Sequence, residues 1–191
     1  MPSFSAALLA GGQSLRMGRD KALLPMPGWD FLLWRQQLHT LEKLRPEKIF
    51  WSGPIRDGLP AHLVIVPDKV KKAGPLAGIS ACLDILESDL LVVLAIDLPQ
   101  MTATFLQSLL AKCSPECGAV IQRNNFSEPL ATVYPKRMAS LAKQRLEAGR
   151  YAMQELIRKA IKQEMLQAVS LEEKDLPLFR NLNTPADLHH L

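Results

Sequence analysis

The sequence is short of cysteine, aromatic residues, basic clusters and long apolar runs, and each shortage narrows the range of functions. Only Cys82, Cys113 and Cys117 occur in 191 residues, and no Cys-x-x-Cys pair is present. Cys113 and Cys117 have no second ligand pair nearby, which argues against a closed zinc site. Incidental thiols in a reducing cytosol are the expectation. No run of about 18 uncharged apolar residues exists, so no membrane span is expected. The apolar stretch 6–10 is short and has no basic residue before it. It is no export signal, and a cytoplasmic location is expected.

Other signatures are missing too. The net charge is only +4, from 23 basic and 19 acidic residues, and the densest basic run is Lys69, Lys71 and Lys72. A nucleic-acid binder would show a stronger cluster, so neither nucleic acid nor membrane is expected as a partner. His39, His62, His189 and His190 have no metal-ligand spacing. No Gly-x-Ser-x-Gly elbow and no Cys–His signature is found, so no protein nucleophile stands out. Aromatic residues are 6% of the chain, and Trp29, Trp34 and Trp51 read as packing residues.

What is present is an ordinary apolar share of 48% and an alternation of strand-like and helix-like segments. Residues 6–10 suit a buried strand closed by Gly11-Gly12. Residues 30–44 suit a helix with Leu33, Leu38, Leu41 and Leu44 near one face. Residues 49–52 and 63–66 read as strands, and 77–86 as a helix after Gly74-Pro75. Residues 90–96 are apolar on both faces, as a central parallel strand is. Thr102 caps a helix through residue 112. Strands are expected at 118–122, 130–134 and 166–169, and helices at 135–147 and 151–164. Pro185, after Thr184 as cap, opens a terminal helix. Strand and helix in alternation imply one α/β domain over residues 1–191, with a mostly parallel sheet covered on both faces.

Four clusters could carry chemistry. The first is Leu9 to Lys21, where a buried strand runs into Gly11 and Gly12 and then Arg16, Gly18 and Lys21. Glycines let a backbone approach anionic oxygens, Arg16 offers a planar fork and Lys21 a point charge. The Walker and Gly-x-Gly-x-x-Gly patterns are both absent. A plain strand-to-loop turn would explain a lone Gly-Gly; the added cations at a strand's carboxyl end favour phosphate. The second is Asp97, closing the most buried strand, which is either a Mg²⁺ ligand or a turn aspartate ahead of Pro99. A phosphate loop on a neighbouring strand favours the metal. The third is Pro67-Asp68 with Gly74-Pro75-Leu76-Ala77-Gly78, where Asp68 is a turn residue or a nucleoside contact. The fourth is Asn181-Leu182-Asn183-Thr184-Pro185, whose two asparagines point the same way if extended.

The stretch Leu-Ala-Gly-Gly-x-Ser-x-Arg-Met-Gly-x-Asp-Lys resembles the signature of the molybdenum cofactor guanylyltransferase family. Pro67-Asp68, Gly74 to Gly78, Asp97-Leu98-Pro99, Glu128-Pro129-Leu130 with Tyr134, and Asn181 to Pro185 are similar to it in the same order. The resemblance implies a three-layer, Rossmann-like nucleotidyltransferase fold of the glycosyltransferase-A-like type. It implies transfer of GMP from Mg²⁺-bound GTP to molybdenum-molybdopterin, with release of pyrophosphate. By carry-over, Leu9, Ala10 and Gly11 contact the nucleotide through backbone atoms and Gly12 adjoins the phosphates. Arg16 and Lys21 pair with phosphate oxygens, Asp68 contacts the nucleoside, and Asp97 holds Mg²⁺. Asn181 and Asn183 lie near the acceptor or metal, and Arg150 is a weaker match near the acceptor. Two positions depart from the pattern: Ser52-Gly53-Pro54 stands where an asparagine is frequent, and Glu128 where a histidine is. The alternatives are a related nucleotidyltransferase using CTP or a sugar phosphate, or a non-catalytic relative that hands nucleotide or cofactor to a molybdoenzyme or delivery partner.

Overall fold

A computed structural model describes residues 2–11, 21–24, 32–67, 70, 73–182 and 187. Its frame is a seven-stranded sheet in the order β3-β2-β1-β4-β6-β5-β7. The strands are β1 (Phe4–Leu9), β2 (Ile49–Ser52), β3 (Leu63–Val66), β4 (Leu90–Ala95), β5 (Gly118–Arg123), β6 (Phe126–Pro135) and β7 (Leu166–Ser170). All are parallel to one another except β6, which runs antiparallel between β4 and β5. The helices are α1 (Leu33–Glu42), α2 (Pro75–Asp84), α3 (Ala103–Leu110), α4 (Met138–Glu147) and α5 (Met153–Lys162). Among the described residues, no helix is long and apolar enough to cross a membrane.

Side-chain alternation along the strands builds two cores. Ala6 and Leu8 of β1 and Leu90, Val92 and Leu94 of β4 face a core closed by α1 and α3. Ala7 and Leu9, with Leu91, Val93 and Ala95, face the opposite core under α2, α4 and α5. Every residue of β4 is buried, which explains its unbroken apolar run. The expected three-layer α/β architecture is thus present.

Several element limits shift, for local reasons. The expected helix over 135–147 begins only at Met138, because Pro135 pairs with Leu90 and still belongs to β6. The expected strand over 130–134 extends back to Phe126. A two-residue turn, Asn124-Asn125, makes β5 and β6 a hairpin, with φ of 48° and 62°. Asparagine tolerates this left-handed backbone, so the Asn-Asn pair was the available signal. Pro75 opens α2 two residues earlier than expected. A 3-10 segment, Glu173–Phe179, was not foreseen; Phe179 packs edge-on against Phe105 of α3, with centroids 5.3 Å apart. Thr102 caps α3 as expected, accepting from the Phe105 N–H at 3.2 Å. The terminal helix expected around Pro185 lies outside the described residues except for Asp187.

The hairpin gives a direct check on the fold. Asn125→Ile places a β-branched side chain at positive φ and is expected to lower the unfolding free energy by about 1–2 kcal/mol. Asn125→Gly is expected to cause no loss. Urea unfolding of both variants, compared at equal slope, tests the turn.

Candidate functional site

The carboxyl ends of β1, β2 and β4 meet at one edge of the sheet. Parallel pairing sets Leu9 against Ser52 on one side and Ala95 on the other. Beyond the strands the ladder continues: the Ala10 N–H donates to the Ser52 carbonyl at 2.7 Å, and the Ile96 N–H to the Leu9 carbonyl at 3.1 Å. Asp97 therefore leaves the sheet beside Ala10 and Gly11. It is half-buried, and its Oδ1 is shielded from solvent. The carboxyl-terminal segment reaches the same edge, where the Leu182 N–H donates to the Asp97 carbonyl at 2.8 Å. That bond brings the exposed Asn181 next to Asp97.

The floor of this edge is tightly packed backbone. A Cβ on Gly53 would stand 2.6 Å from the Ala10 carbonyl carbon and 2.8 Å from the Gly11 nitrogen. No side chain fits there without displacing the Ala10-Gly11 backbone. A Cβ on Gly78 would collide with the Ser52 hydroxyl. The small residues of α2 thus let its first turn lie against β1 and β2. Gly74, the N-cap of α2, has φ of 63°.

Two charged residues at this edge were not among the expected site residues. Arg56 lies over the Trp51 ring at 5.3 Å and donates to the Pro54 carbonyl at 3.1 Å and the Ala10 carbonyl at 3.3 Å. Nothing in the local sequence marks it, since its position depends on the turn after β2. Glu128 arrives from the opposite direction on β6. β6 pairs with β4 as far as Leu94 and Ala131, and Glu128, three residues before Ala131, comes near enough to Asp97 for their charges to interact. On its other side β6 is bulged: Val120 pairs with Thr132, but the next residue, Ile121, pairs with Glu128. The Thr132 hydroxyl donates to the Glu128 carbonyl at 2.6 Å, and the buried Tyr134 hydroxyl donates to the Pro129 carbonyl at 2.8 Å. Gln154 of α5 holds the edge of β6, accepting from the Ser127 N–H at 3.0 Å and donating to the Ser127 carbonyl at 2.7 Å. Burial pushes the Glu128 carboxyl above its ordinary value. The Leu130 N–H, donating at 3.2 Å, opposes the shift, and the Asp97 charge adds to it.

Of the residues expected from sequence, Leu9, Ala10, Gly11, Asp97 and Asn181 are gathered at this edge. Lys21 begins a short 3-10 segment, Lys21–Leu23, and only its backbone is described. Gly12, Arg16, Asp68 and Asn183 lie outside the described residues. Arg150 is exposed at the turn between α4 and α5, and its carbonyl accepts from Arg145 Nε at 3.2 Å. A cavity of about 730 Å³ lies elsewhere, between α1 and the segment 99–104. None of the five gathered residues lines it, so the site is assigned from the sheet edge and not from cavity size.

Among the described residues, no cluster of three or more His, Cys, Asp or Glu could cage a metal. The edge does suit a hard cation shared with a ligand. Mg²⁺ is commonly held by one or two carboxylates, with substrate phosphates and water completing the shell. Asp97 and Glu128 bring two oxygen-bearing groups whose charges disfavour each other, a conflict that a divalent ion relieves.

Carboxyl ends of parallel strands that present a glycine, Gly11, beside a carboxylate, Asp97, mark the ligand-binding edge of an open α/β protein. The chain belongs to the MobA-like NTP transferase domain family, which it matches over residues 6–167. It is 32% identical to the "Probable molybdenum cofactor guanylyltransferase" of Opitutus terrae, over 97% of this chain and 93% of that one. It is 33% identical to the molybdenum cofactor guanylyltransferase of Pseudomonas syringae, over 97% and 91%. Its fold matches the crystal structure of molybdopterin-guanine dinucleotide biosynthesis protein A from Archaeoglobus fulgidus, with a TM-score of 0.75 at 23% identity, covering 97% of this chain and 95% of the other.

The Glu128 carboxyl gives a pH test. A carboxyl whose folded pKa is raised favours folding below its unfolded value, about 4.3. That contribution is lost as pH rises through the folded value. In chelator-treated protein, Glu128→Gln is therefore expected to raise the thermal midpoint at pH 7.5, and the gain should vanish near pH 4. Calorimetric scans at the two pH values check the sign.

Proposed function

We propose that this protein transfers GMP from Mg²⁺-bound GTP to the terminal phosphate of molybdenum-molybdopterin, releasing pyrophosphate. The family and the names of its relatives support the reaction class and substrates. The observation that carries the reading is the joining of the carboxyl end of β1 to the residue before Asp97, through the Ile96–Leu9 bond.

In the chemistry, an oxygen of the acceptor phosphate attacks the α-phosphorus of GTP. The bond from that phosphorus to the bridging oxygen breaks, and pyrophosphate leaves with the electron pair. Such a step needs in-line positioning and charge neutralisation more than covalent help, in keeping with the lack of a nucleophile motif. The acceptor phosphate is ionised near neutral pH, so no strong general base is required. The backbone of Leu9, Ala10 and Gly11 lines the nucleotide, and Gly12 leaves room for the phosphates. Arg16 and Lys21 receive the charge that gathers on pyrophosphate. Asp68 holds the nucleoside. Asn181 and Asn183 would serve the acceptor or metal, and Asp97 would hold Mg²⁺, with Glu128 beside it. The ion, when bound, neutralises charge on the donor phosphates.

Purified protein is to be incubated with molybdenum-loaded molybdopterin, Mg²⁺ and GTP, CTP, ATP or UTP in turn. Pyrophosphate and the dinucleotide are expected with GTP. Product with CTP alone would move the reading to another donor, and nucleotide binding without pyrophosphate release would indicate a binding module. Asp97→Ala is expected to cut turnover at least about a hundredfold with an unchanged circular dichroism spectrum. Wild-type turnover in that variant rejects the assignment.

A further inference from the structure

Two adjacent glutamines of α1 hold the segment that carries Asp97. Gln37 takes a core position in the stripe of Leu33, Trp34, Leu38 and Leu41, and it is 0% exposed. An apolar side chain would fill this place with no polar group to bury. Gln37 Nε2 instead donates to the Leu98 carbonyl at 2.5 Å. That carbonyl also accepts from the Met101 N–H at 3.1 Å, so the glutamine is not needed merely to satisfy it. Gln36 Nε2 donates to the Pro99 carbonyl at 2.7 Å. A carbonyl only accepts, which fixes the amide orientation of both side chains. Both Oε1 atoms are buried with no partner among the described residues. That penalty makes sense if the donor ends are what the positions require.

The carbonyls of Asp97, Leu98 and Pro99 are thus each tied to another element: Leu182, Gln37 and Gln36 respectively. On the amino-terminal side, Ile96 is tied to Leu9. The backbone is held on both sides of Asp97, by contacts from three separate parts of the chain.

We propose that Gln36 and Gln37 are positioning residues that fix the Asp97 carboxylate in the orientation needed to receive a divalent cation. The proposal rests on the metal role given to Asp97 above. Supporting groups around a metal ligand commonly change affinity by 10–100-fold when removed. Among the described residues, the hydrogen bonds of the glutamine side chains go to Leu98 and Pro99 and not to Gly11 or Gly53, so nucleotide contacts there should be spared.

The test uses Gln36→Met, Gln37→Met and the double variant, because methionine keeps the length and removes the donor. Mn²⁺ serves as the probe, and its binding to the GTP-loaded full chain is read by electron paramagnetic resonance. The double variant is expected to bind Mn²⁺ about tenfold more weakly. Its affinity for GTP in the presence of chelator should be unchanged, and its thermal midpoint no lower than that of the parent. Unchanged Mn²⁺ affinity, or equal losses of metal and nucleotide binding, overturns the proposal. If the variants at buried Gln37 do not fold, Gln36→Met alone decides, with a smaller selective loss expected and no loss overturning it. Asp97→Asn is run in parallel. Full Mn²⁺ affinity in that variant removes the metal assignment and this inference together. Weakened binding there, with intact binding in the glutamine variants, overturns only the inference.

Discussion

The parallel pairing of β1 with β4 is the constraint on which the site depends. It sets Leu9 beside Ala95 and lets the Ile96 N–H continue the ladder to the Leu9 carbonyl. Parallel strands point the same way, so the loops leaving them emerge at the same edge. Gly11 and a carboxylate far apart in sequence are brought to one edge by backbone hydrogen bonds. The pairing is stable because β4 is buried along its whole length and contributes to both cores. A polar residue on either face of β4 would weaken the sheet and the site together.

Around that pairing, close backbone approach does the shaping. Gly53 allows the chain after β2 to lie against Ala10 and Gly11, and Gly78 allows α2 to lie against β1 and β2; a methyl group would meet main chain at the first and the Ser52 hydroxyl at the second. The antiparallel strand β6 makes a different contribution. Because β6 starts at the edge where the others end, its early residues reach the site, and the Glu128 carboxyl comes near enough to Asp97 for the two charges to oppose each other. Tyr134 and Gln154 account for the bulge keeping its shape: one anchors Pro129 from within the core, and the other holds Ser127 from α5.

Legibility in the sequence followed the range of the interaction. β4 was plain because an unbroken apolar run of that length, ended by Asp97 and Pro99, suits a strand buried on both faces. The cap at Thr102 was plain because capping is local. The start of β6 was missed because Asn124-Asn125 is a weaker turn signal than a pair containing glycine. Arg56 was missed because its placement over Trp51 needs the turn after β2 to be formed. Nothing in the sequence sets Gln37 apart from other polar helix residues, and only the packing of α1 against the segment after Asp97 shows it to be buried.

By itself, the sequence determined the α/β class, the central strand, and the types of residue that could handle a triphosphate. Those properties are written in composition, periodicity and short motifs, which act over a few residues. Tertiary structure alone decided that Asp97, Asn181 and the turn after β1 share one edge, that Glu128 approaches them on an antiparallel strand, and that two glutamines brace the Asp97 segment. Each of these depends on strand order, register and helix packing. Such long-range pairings arise only when the whole sheet has closed its two cores.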